Sequence, residues 1–314
     1  MFDINTCQWV MWGAKRPYNT YGHIHDAFLR ALEYQGKRAV WLDDGDDLSQ
    51  LDMGNTLFLT MNCVVGGIPL SKECYYFIHN GSDVRELFTG PGMTRVVNFG
   101  VHISTNTYGD VPQIGPEIWF DANSKSMSFR WGTDLLPNEI EANKPARTFN
   151  SDSKVINYIG TIDPSNKAII GRFRQAAEAQ GIQFVGYGGC YAGHEGHNQV
   201  VSVDDNVRLI KESYMAPTLQ RMDQVQSGYV PCRLFKNISY GQFGITHSRF
   251  ANELFGGKLI YNPDPYRLFY DALERLQVTP VSELHALMDE VATKHTYLNK
   301  IAAIEHAVRI LENK

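Results

Sequence analysis

The chain has 314 residues, 43% of them hydrophobic and 20% charged, and its 29 basic and 34 acidic side chains leave a formal net charge of −5. Such a length exceeds what one hydrophobic core usually supports, so two domains of roughly 150 residues are expected, with a cleft between them as a natural ligand site. The lack of any basic run argues against a nucleic-acid partner, no apolar stretch of about 18 residues offers a transmembrane segment, and Met1-Phe2-Asp3-Ile4-Asn5-Thr6 does not read as a secretory signal, so a cytoplasmic or other intracellular location is expected.

Cys7-Gln8-Trp9-Val10-Met11-Trp12 is a short apolar run that ends at Gly13, and Ala39-Val40-Trp41-Leu42 is a second, ending in Asp43-Asp44-Gly45-Asp46-Asp47. Between them Ile24, Phe28, Ala31 and Leu32 recur at helical spacing, with Thr20 as N-cap and Gly36 as a left-handed stop, which makes a βαβ unit. Further strands are predicted at 56–60, 75–78, 95–99 and 118–120, each bounded by Gly, Asn or Pro. The stretch 121–153 is poorer in apolar residues, so the boundary is placed near its end: an N-terminal Rossmann-like domain of residues 1–152 and a C-terminal one of residues 153–314.

The second series runs strand 155–160, helix 165–180, strand 183–187, helix 204–211, a strand near 214–215, helix 231–240, strand 243–246, helix 247–255, strand 258–261 and helix 264–276. Alternation of this kind implies parallel sheets with helices on both faces. Residues 281–314 carry Leu284, Leu287, Met288, Val291, Leu298, Ile301, Ile304, Val308 and Leu311 at helical spacing, broken by Thr293-Lys294-His295-Thr296. Packing across the two domains, back onto the N-terminal one, explains that interrupted stripe better than a coiled coil does.

The most informative segment is Ser227-Gly228-Tyr229-Val230-Pro231-Cys232-Arg233-Leu234-Phe235-Lys236-Asn237-Ile238-Ser239-Tyr240-Gly241. Proline suits a first helical turn and Gly241 a left-handed stop, so a short, sharply delimited helix is predicted. A helix that starts after a glycine loop aims open N–H groups and a positive dipole end forward, which suits a diphosphate, and Arg233 adds a two-pronged cation in the first turn.

The segment resembles the donor-site motif of GT-B glycosyltransferases in two versions. One is that of spore-maturation-type and related group-1 transferases, Gly-Tyr-Val-x-x-Arg-hydrophobic-Phe followed by a small-residue helix. The other is the α1,3-fucosyltransferase pattern, approached by Tyr229, Val230, Arg233, Leu234, Phe235 and Asn237. Two positions depart: Cys232 stands where the fucosyltransferase pattern has a ribose-binding Glu, and Lys236 where many group-1 transferases have a Glu. Tyr158-Ile159-Gly160-Thr161 and Val185-Gly186-Tyr187-Gly188-Gly189-Cys190 resemble the opening of a GT-B C-terminal domain, and Arg172 or Arg174 holds the place of an arginine that meets the diphosphate. The resemblance covers about residues 155–280.

That resemblance implies a GT-B fold with two Rossmann-like domains whose parallel sheets face an interdomain cleft. It implies a UDP- or GDP-linked sugar as donor substrate, no separate cofactor, and a carbohydrate, protein or small-molecule acceptor. The donor side then comprises Gly160, Arg172, Arg174, Gly188, Ser227, Gly228, Tyr229, Val230, Pro231, Arg233, Lys236 and Asn237, and the acceptor side Gly13, Asp43, Asp44 and Asn62. A base for the acceptor hydroxyl is sought among His25, His23 and Asp26 at the start of the first helix, each of which a solvated helix start also explains.

No metal is expected. His194-Glu195-Gly196-His197 lacks the i, i+4 histidine spacing of a zincin helix, and Asp43-Asp44 and Asp204-Asp205 are read as adjacent pairs. The odd cysteines Cys7, Cys63, Cys74, Cys190 and Cys232 form no C-x-x-C pair and are read as reduced thiols. Inverting transfer is favoured over retaining. A GT-B-fold binder that has lost catalysis is the alternative, and a Rossmann dehydrogenase is set aside because Gly13-Ala14-Lys15 follows the first strand where Gly-x-Gly-x-x-Gly is required.

Overall fold

The computed structural model describes residues 2–15, 20–89, 91–101, 110–188 and 201–313. It divides into two compact units, residues 1–130 with 297–314, and residues 131–296.

Unit 1 is built on one sheet. Its elements in chain order are β1 (Gln8–Trp12), α1 (Thr20–Tyr34), β2 (Ala39–Leu42), β3 (Thr56–Met61), β4 (Tyr75–His79), α2 (Arg85–Thr89), β5 (Val96–Gly100), β6 (Gln113–Gly115), β7 (Ile118–Asp121) and β8 (Ser126–Phe129). The strand order is β2-β1-β3-β4-β5-β8-β7-β6. Pairing is parallel from β2 through to β8 and antiparallel at the β8-β7 and β7-β6 edge. Continuous apolar runs such as Leu57-Phe58-Leu59 and Tyr75-Tyr76-Phe77-Ile78 are buried on both faces, as parallel strands require. One face closes with Val10, Trp12, Phe58, Tyr76 and Phe88, where Phe58 and Tyr76 stack at 5.1 Å. Gly36 takes φ +70° just past α1, and Lys37 N–H bonds back to Leu32 O, so the helix stops where the glycine permits it.

Unit 2 holds α3 (Pro137–Ala142), β9 (Val155–Ile159), α4 (Lys167–Ala179), β10 (Gln183–Tyr187), α5 (Val203–Glu212), β11 (Pro217–Thr218), α6 (Met222–Gln226), α7 (Cys232–Ser239), β12 (Ile245–Thr246), α8 (Arg249–Leu254), β13 (Ile260–Tyr261), α9 (Pro265–Val278) and α10 (Val281–Lys294). All its strand pairs are parallel: β10 with β9, and β11 with β12 with β13. Between the two ladders no strand forms at 214–215, where the sequence suggests one. The chain there makes a single backbone bond, Tyr214 N–H to Val155 O at 2.7 Å, before β11 begins at Pro217.

The polar stretch 121–153 is shared: it supplies β8 to unit 1 and α3 to unit 2, and the units part between Arg130 and Trp131. The C-terminal helical stripe is likewise two helices. The break at His295-Thr296 is buried in unit 2, where His295 O accepts from Thr133 N–H at 2.9 Å. The last helix, α11 (Tyr297–Glu312), belongs to unit 1. It packs on α1 through Tyr297 and Phe28, ring centroids 4.5 Å apart, and is tied by a Lys37–Glu305 ion pair and by Tyr75 OH donating to Glu312 Oε1 at 2.5 Å. Its Lys300 is wholly buried, 5.8 Å from the Phe129 ring, with no hydrogen-bond partner among the described residues.

Candidate functional site

In unit 2, β9 and β10 end side by side in two glycines with left-handed backbone, Gly160 at φ +150° and Gly188 at φ +96°. Gly160 N–H donates to Tyr187 O at 2.8 Å, and a methyl group on Gly188 would lie 3.7 Å from Gly160 N, so the two strand ends nearly touch. Arg233, the second residue of α7, fills the space over Gly160. A methyl group there would sit 1.7 Å from Nη2 and 2.5 Å from Cζ, so no side chain other than hydrogen fits without moving the guanidinium. The guanidinium lies 4.4 Å from the Tyr158 ring centroid. Its Nη1 donates to Leu219 O at 3.5 Å, whereas Nε has no partner among the described residues. Tyr158 is itself fixed, its OH donating to Leu219 O at 2.9 Å.

α7 follows Gly228, which takes φ +70°, and its N-cap is Pro231, whose side chain satisfies no amide. Of the first-turn amides, Leu234 N–H donates to Pro231 O at 3.0 Å, and no side chain caps the others. Gly241 ends the helix at φ +86°, as the sequence suggests, and a methyl group there would meet Asn143 O at 3.2 Å.

The other donor-side candidates are committed within their own unit. Lys236 pairs with Asp134 at 3.0 Å, and the Tyr240 hydroxyl shares that carboxylate at 3.2 Å. Asn237 is buried and donates to Ala216 O, and Val230 is a core residue. Ser227 Oγ donates to Gln224 O, and the Tyr229 carbonyl accepts from Gln220. Arg172 is exposed and bonds both oxygens of Asp264 at 2.8 Å, and Arg174 stacks 4.8 Å from the Phe184 ring centroid. Gly160, Gly188 and Arg233 are thus brought together, and Arg172 is held by a carboxylate instead.

Residues that sequence reasoning missed lie at the ends of β11 and β12. Thr218 Oγ1 and Gln220 Oε1 are buried without a hydrogen-bond partner among the described residues. His247 is buried beside them with neither ring nitrogen hydrogen-bonded among the described residues, and burial pushes it below the ordinary histidine value. The usable signal was their position directly after short apolar strands, where open α/β sheets carry their ligand contacts.

Unit 1 has a cavity of about 370 Å³ lined by Trp12, Gly13, Ala14, Tyr21, His25, Asp43, Asp44, Cys63, Val64 and Gly66. It lies at the carboxyl ends of β1, β2 and β3, where the order β2-β1-β3 marks the topological switch point. Gly13 takes φ +134°, and a methyl group on it would meet Val64 Cγ2 at 2.6 Å, so the backbone itself forms part of the wall. Both indoles are anchored, Trp12 Nε1 to Gly66 O at 3.1 Å and Trp41 Nε1 to Gly13 O at 2.8 Å.

His25 lies edge-on to Trp41, ring centroids 5.6 Å apart, and is 2% exposed, and its Nε2 has no partner among the described residues. Burial pushes its pKa down to about 4, so the ring is neutral at pH 7. His25, Gly13, Asp43 and Asp44 therefore share one cavity. His23 and Asp26 do not line it, and Asn62 donates instead to Asp83 at 2.8 Å.

Asp44-Gly45-Asp46 does have the Asp-x-Asp spacing that the reading as adjacent pairs passed over, yet Asp46 is taken up by Lys15 at 2.6 Å and by Asp43 N–H at 2.8 Å. Among the described residues no three metal-ligating side chains converge. His194-Glu195-Gly196-His197, Cys190 with Gly189, and residues 16–19 of the first loop lie outside the described residues. No helix among the described residues is long and apolar enough to cross a membrane.

No family model and no curated protein matches the chain. Among solved structures it is similar to trehalose-6-phosphate synthase OtsA, at 12% identity and a TM-score of 0.49 over 78% of this chain and 73% of that one. It is also similar to phage T4 BGT, solved in complex with its UDP-glucose substrate, at 9% identity and a TM-score of 0.43 over 97% of this chain and 98% of that one. Likenesses this distant assign no activity.

Proposed function

We propose that the chain is a GT-B glycosyltransferase that moves a sugar from a nucleoside-diphosphate sugar to an acceptor hydroxyl. The observation that carries the reading is the Gly160–Arg233 contact: a guanidinium with an unsatisfied Nε, held over a glycine at the end of a parallel strand, on the first turn of a helix whose N-cap side chain satisfies no amide. This is a setting for two linked phosphates, since the guanidinium supplies charge-assisted bonds and the open turn supplies amides aligned with the helix dipole. As the sugar departs, the same groups stabilise the nucleoside diphosphate on which negative charge accumulates.

On the acceptor side, His25 is the base of choice among the three histidine and aspartate candidates, because it alone lines the cavity of unit 1 and is neutral at pH 7. Transfer proceeds without a metal, the leaving-group charge being met by Arg233. Inversion at the anomeric carbon is favoured, since the Glu of many retaining relatives is replaced by Lys236, whose ammonium is neutralised by Asp134.

A thermal-shift screen with UDP, GDP, CMP and dTDP tests the reading, because a nucleotide that binds the folded state raises its melting temperature. One of the diphosphates should stabilise the protein and Arg233→Ala should abolish the shift. An equal shift in the variant would remove the phosphate role. Slow donor hydrolysis without acceptor separates an enzyme from the alternative, a binder that has lost catalysis, for which Cys232 and Lys236 at the two Glu positions speak.

A further inference from the structure

The cavity of unit 1 presents an uneven set of polar groups. Its described lining holds two carboxylates, Asp43 and Asp44, one histidine, the Tyr21 phenol and the Cys63 thiol, and no lysine or arginine. The nearby Lys15 is occupied by Asp46 through both carboxylate oxygens at 2.8 and 2.6 Å. The indole N–H groups of Trp12 and Trp41 are used on backbone carbonyls and offer no donor to a ligand. Asp43 Oδ1 accepts from Gly45 N–H at 3.0 Å, which leaves its second oxygen and both oxygens of Asp44 for a guest. His25, almost wholly buried, adds an unpaired Nε2. Aromatic faces, a volume within the range of small-molecule sites and a surplus of acceptors describe a ligand rich in hydroxyl or amino donors.

From this the geometry points to a specificity: the cavity takes an uncharged or amino-bearing polyhydroxylated acceptor, and rejects the phosphorylated or carboxylated version of the same compound. The inference rests on the acceptor-side reading of the cavity and adds the charge class of the substrate to it. An anion placed there faces two like charges, the half-buried Asp43 and the exposed Asp44, and like-charge juxtaposition is costly at an interface. His25 cannot offset them, because burial holds it in the neutral form. A hydroxyl or an ammonium instead gains the acceptors that the protein leaves open.

The test is a calorimetric titration of the full chain, without donor, with glucose, glucosamine, glucose 6-phosphate and glucuronic acid as probes. Glucose or glucosamine should bind, and each anionic probe should bind at least about tenfold more weakly. Asp43→Asn with Asp44→Asn, which keeps size and the Gly45 bond, should shrink that discrimination towards unity. UDP is titrated in parallel into the same double variant to report folding and the donor side, and its affinity should be unchanged. Tighter binding of either anionic probe, no binding of any probe, or undiminished discrimination in the double variant overturns the specificity. Loss of UDP binding in Arg233→Ala is read separately, so failure here and failure of the donor site are told apart.

Discussion

The two units solve the binding of a polar ligand in opposite ways. Unit 1 offers a half-open cavity at a switch point, lined by two carboxylates and a neutral histidine and by no lysine or arginine among its described residues. Unit 2 offers a cation over a bare backbone, with Arg233 pressed on Gly160 and Gly188 against it. The difference lies in which partner is absent: unit 1 leaves carboxylate oxygens open and suits hydroxyl groups, whereas unit 2 leaves the Arg233 Nε without a partner among the described residues and suits phosphates.

The strongest way to break that contrast is Gly160→Ala. The new methyl group must displace the guanidinium and adopt a φ of +150°, so nucleotide affinity measured by calorimetry should fall by on the order of 100-fold while unit 1 still binds its ligand. Retained affinity would mean that the contact is incidental. The control is Gly171→Ala, mid-helix in α4 with nothing within 4 Å of the new methyl group, which should stabilise the protein by about 1 kcal/mol and leave binding alone.

Next in size is a comparison inside unit 1, between two buried unpaired groups. His25 lines a cavity, whereas Lys300 is packed among Phe129, Glu117 and Arg130. Burial pushes the Lys300 pKa down to about 7, opposed by the Glu117 charge. Because the unfolded chain holds that proton up to its ordinary value near 10.5, stability should rise with pH between about 7 and 10. Lys300→Met should remove the slope and stabilise the fold at pH 7 by a few kcal/mol, read from urea midpoints. A destabilised variant, or one that loses ligand binding, would make Lys300 part of a site.

His25 gives a smaller effect on the acid side. Its folded pKa of about 4 lies below the ordinary 6.5, so the unfolded chain binds the proton first and stability is lost as pH falls from about 6.5 to 4, by roughly 3 kcal/mol in all. His25→Gln should flatten that limb of the pH profile and lower turnover. An unchanged acid limb would contradict the burial that places the ring in the cavity wall.

Much of the fold was legible because its signals are local. The runs at β1 to β5 and at β9 and β10 are short, apolar and bounded by turn residues, and Gly36 and Gly241 stop their helices where only a left-handed residue can stand. Of the antiparallel edge only β7 was, because β6 and β8 are three and four residues long, too short for their alternation to stand out inside a polar stretch. The return of α11 to unit 1 could be suspected from its apolar stripe, but the point of division at Arg130 could not, since Gly132 and Thr133 lie in unit 2 against His295 and Thr296, more than 160 positions later in the chain.

The candidate sites follow the same rule. Arg233 was visible as a basic residue in a first turn, and its contact with Gly160, 73 positions earlier, needed coordinates. Arg172 and Lys236 stood beside Arg233 among the donor-side candidates, and their carboxylate partners, Asp264 and Asp134, are visible only in the structure. His247 directly follows the strand predicted at 243–246 and could have been found, whereas Thr218 closes, and Gln220 lies two residues past, a two-residue strand that the sequence does not announce.

At the donor site the Arg233 guanidinium supplies most of the hold on the diphosphate, and titration of UDP against uridine, or of GDP against guanosine, measures that directly. In the wild-type protein the diphosphate should bind the more tightly by at least about 100-fold, and in Arg233→Ala that gap should nearly close while the nucleoside binds as before. A gap of the same size in the variant would contradict the assignment of the phosphates to the Gly160–Arg233 edge.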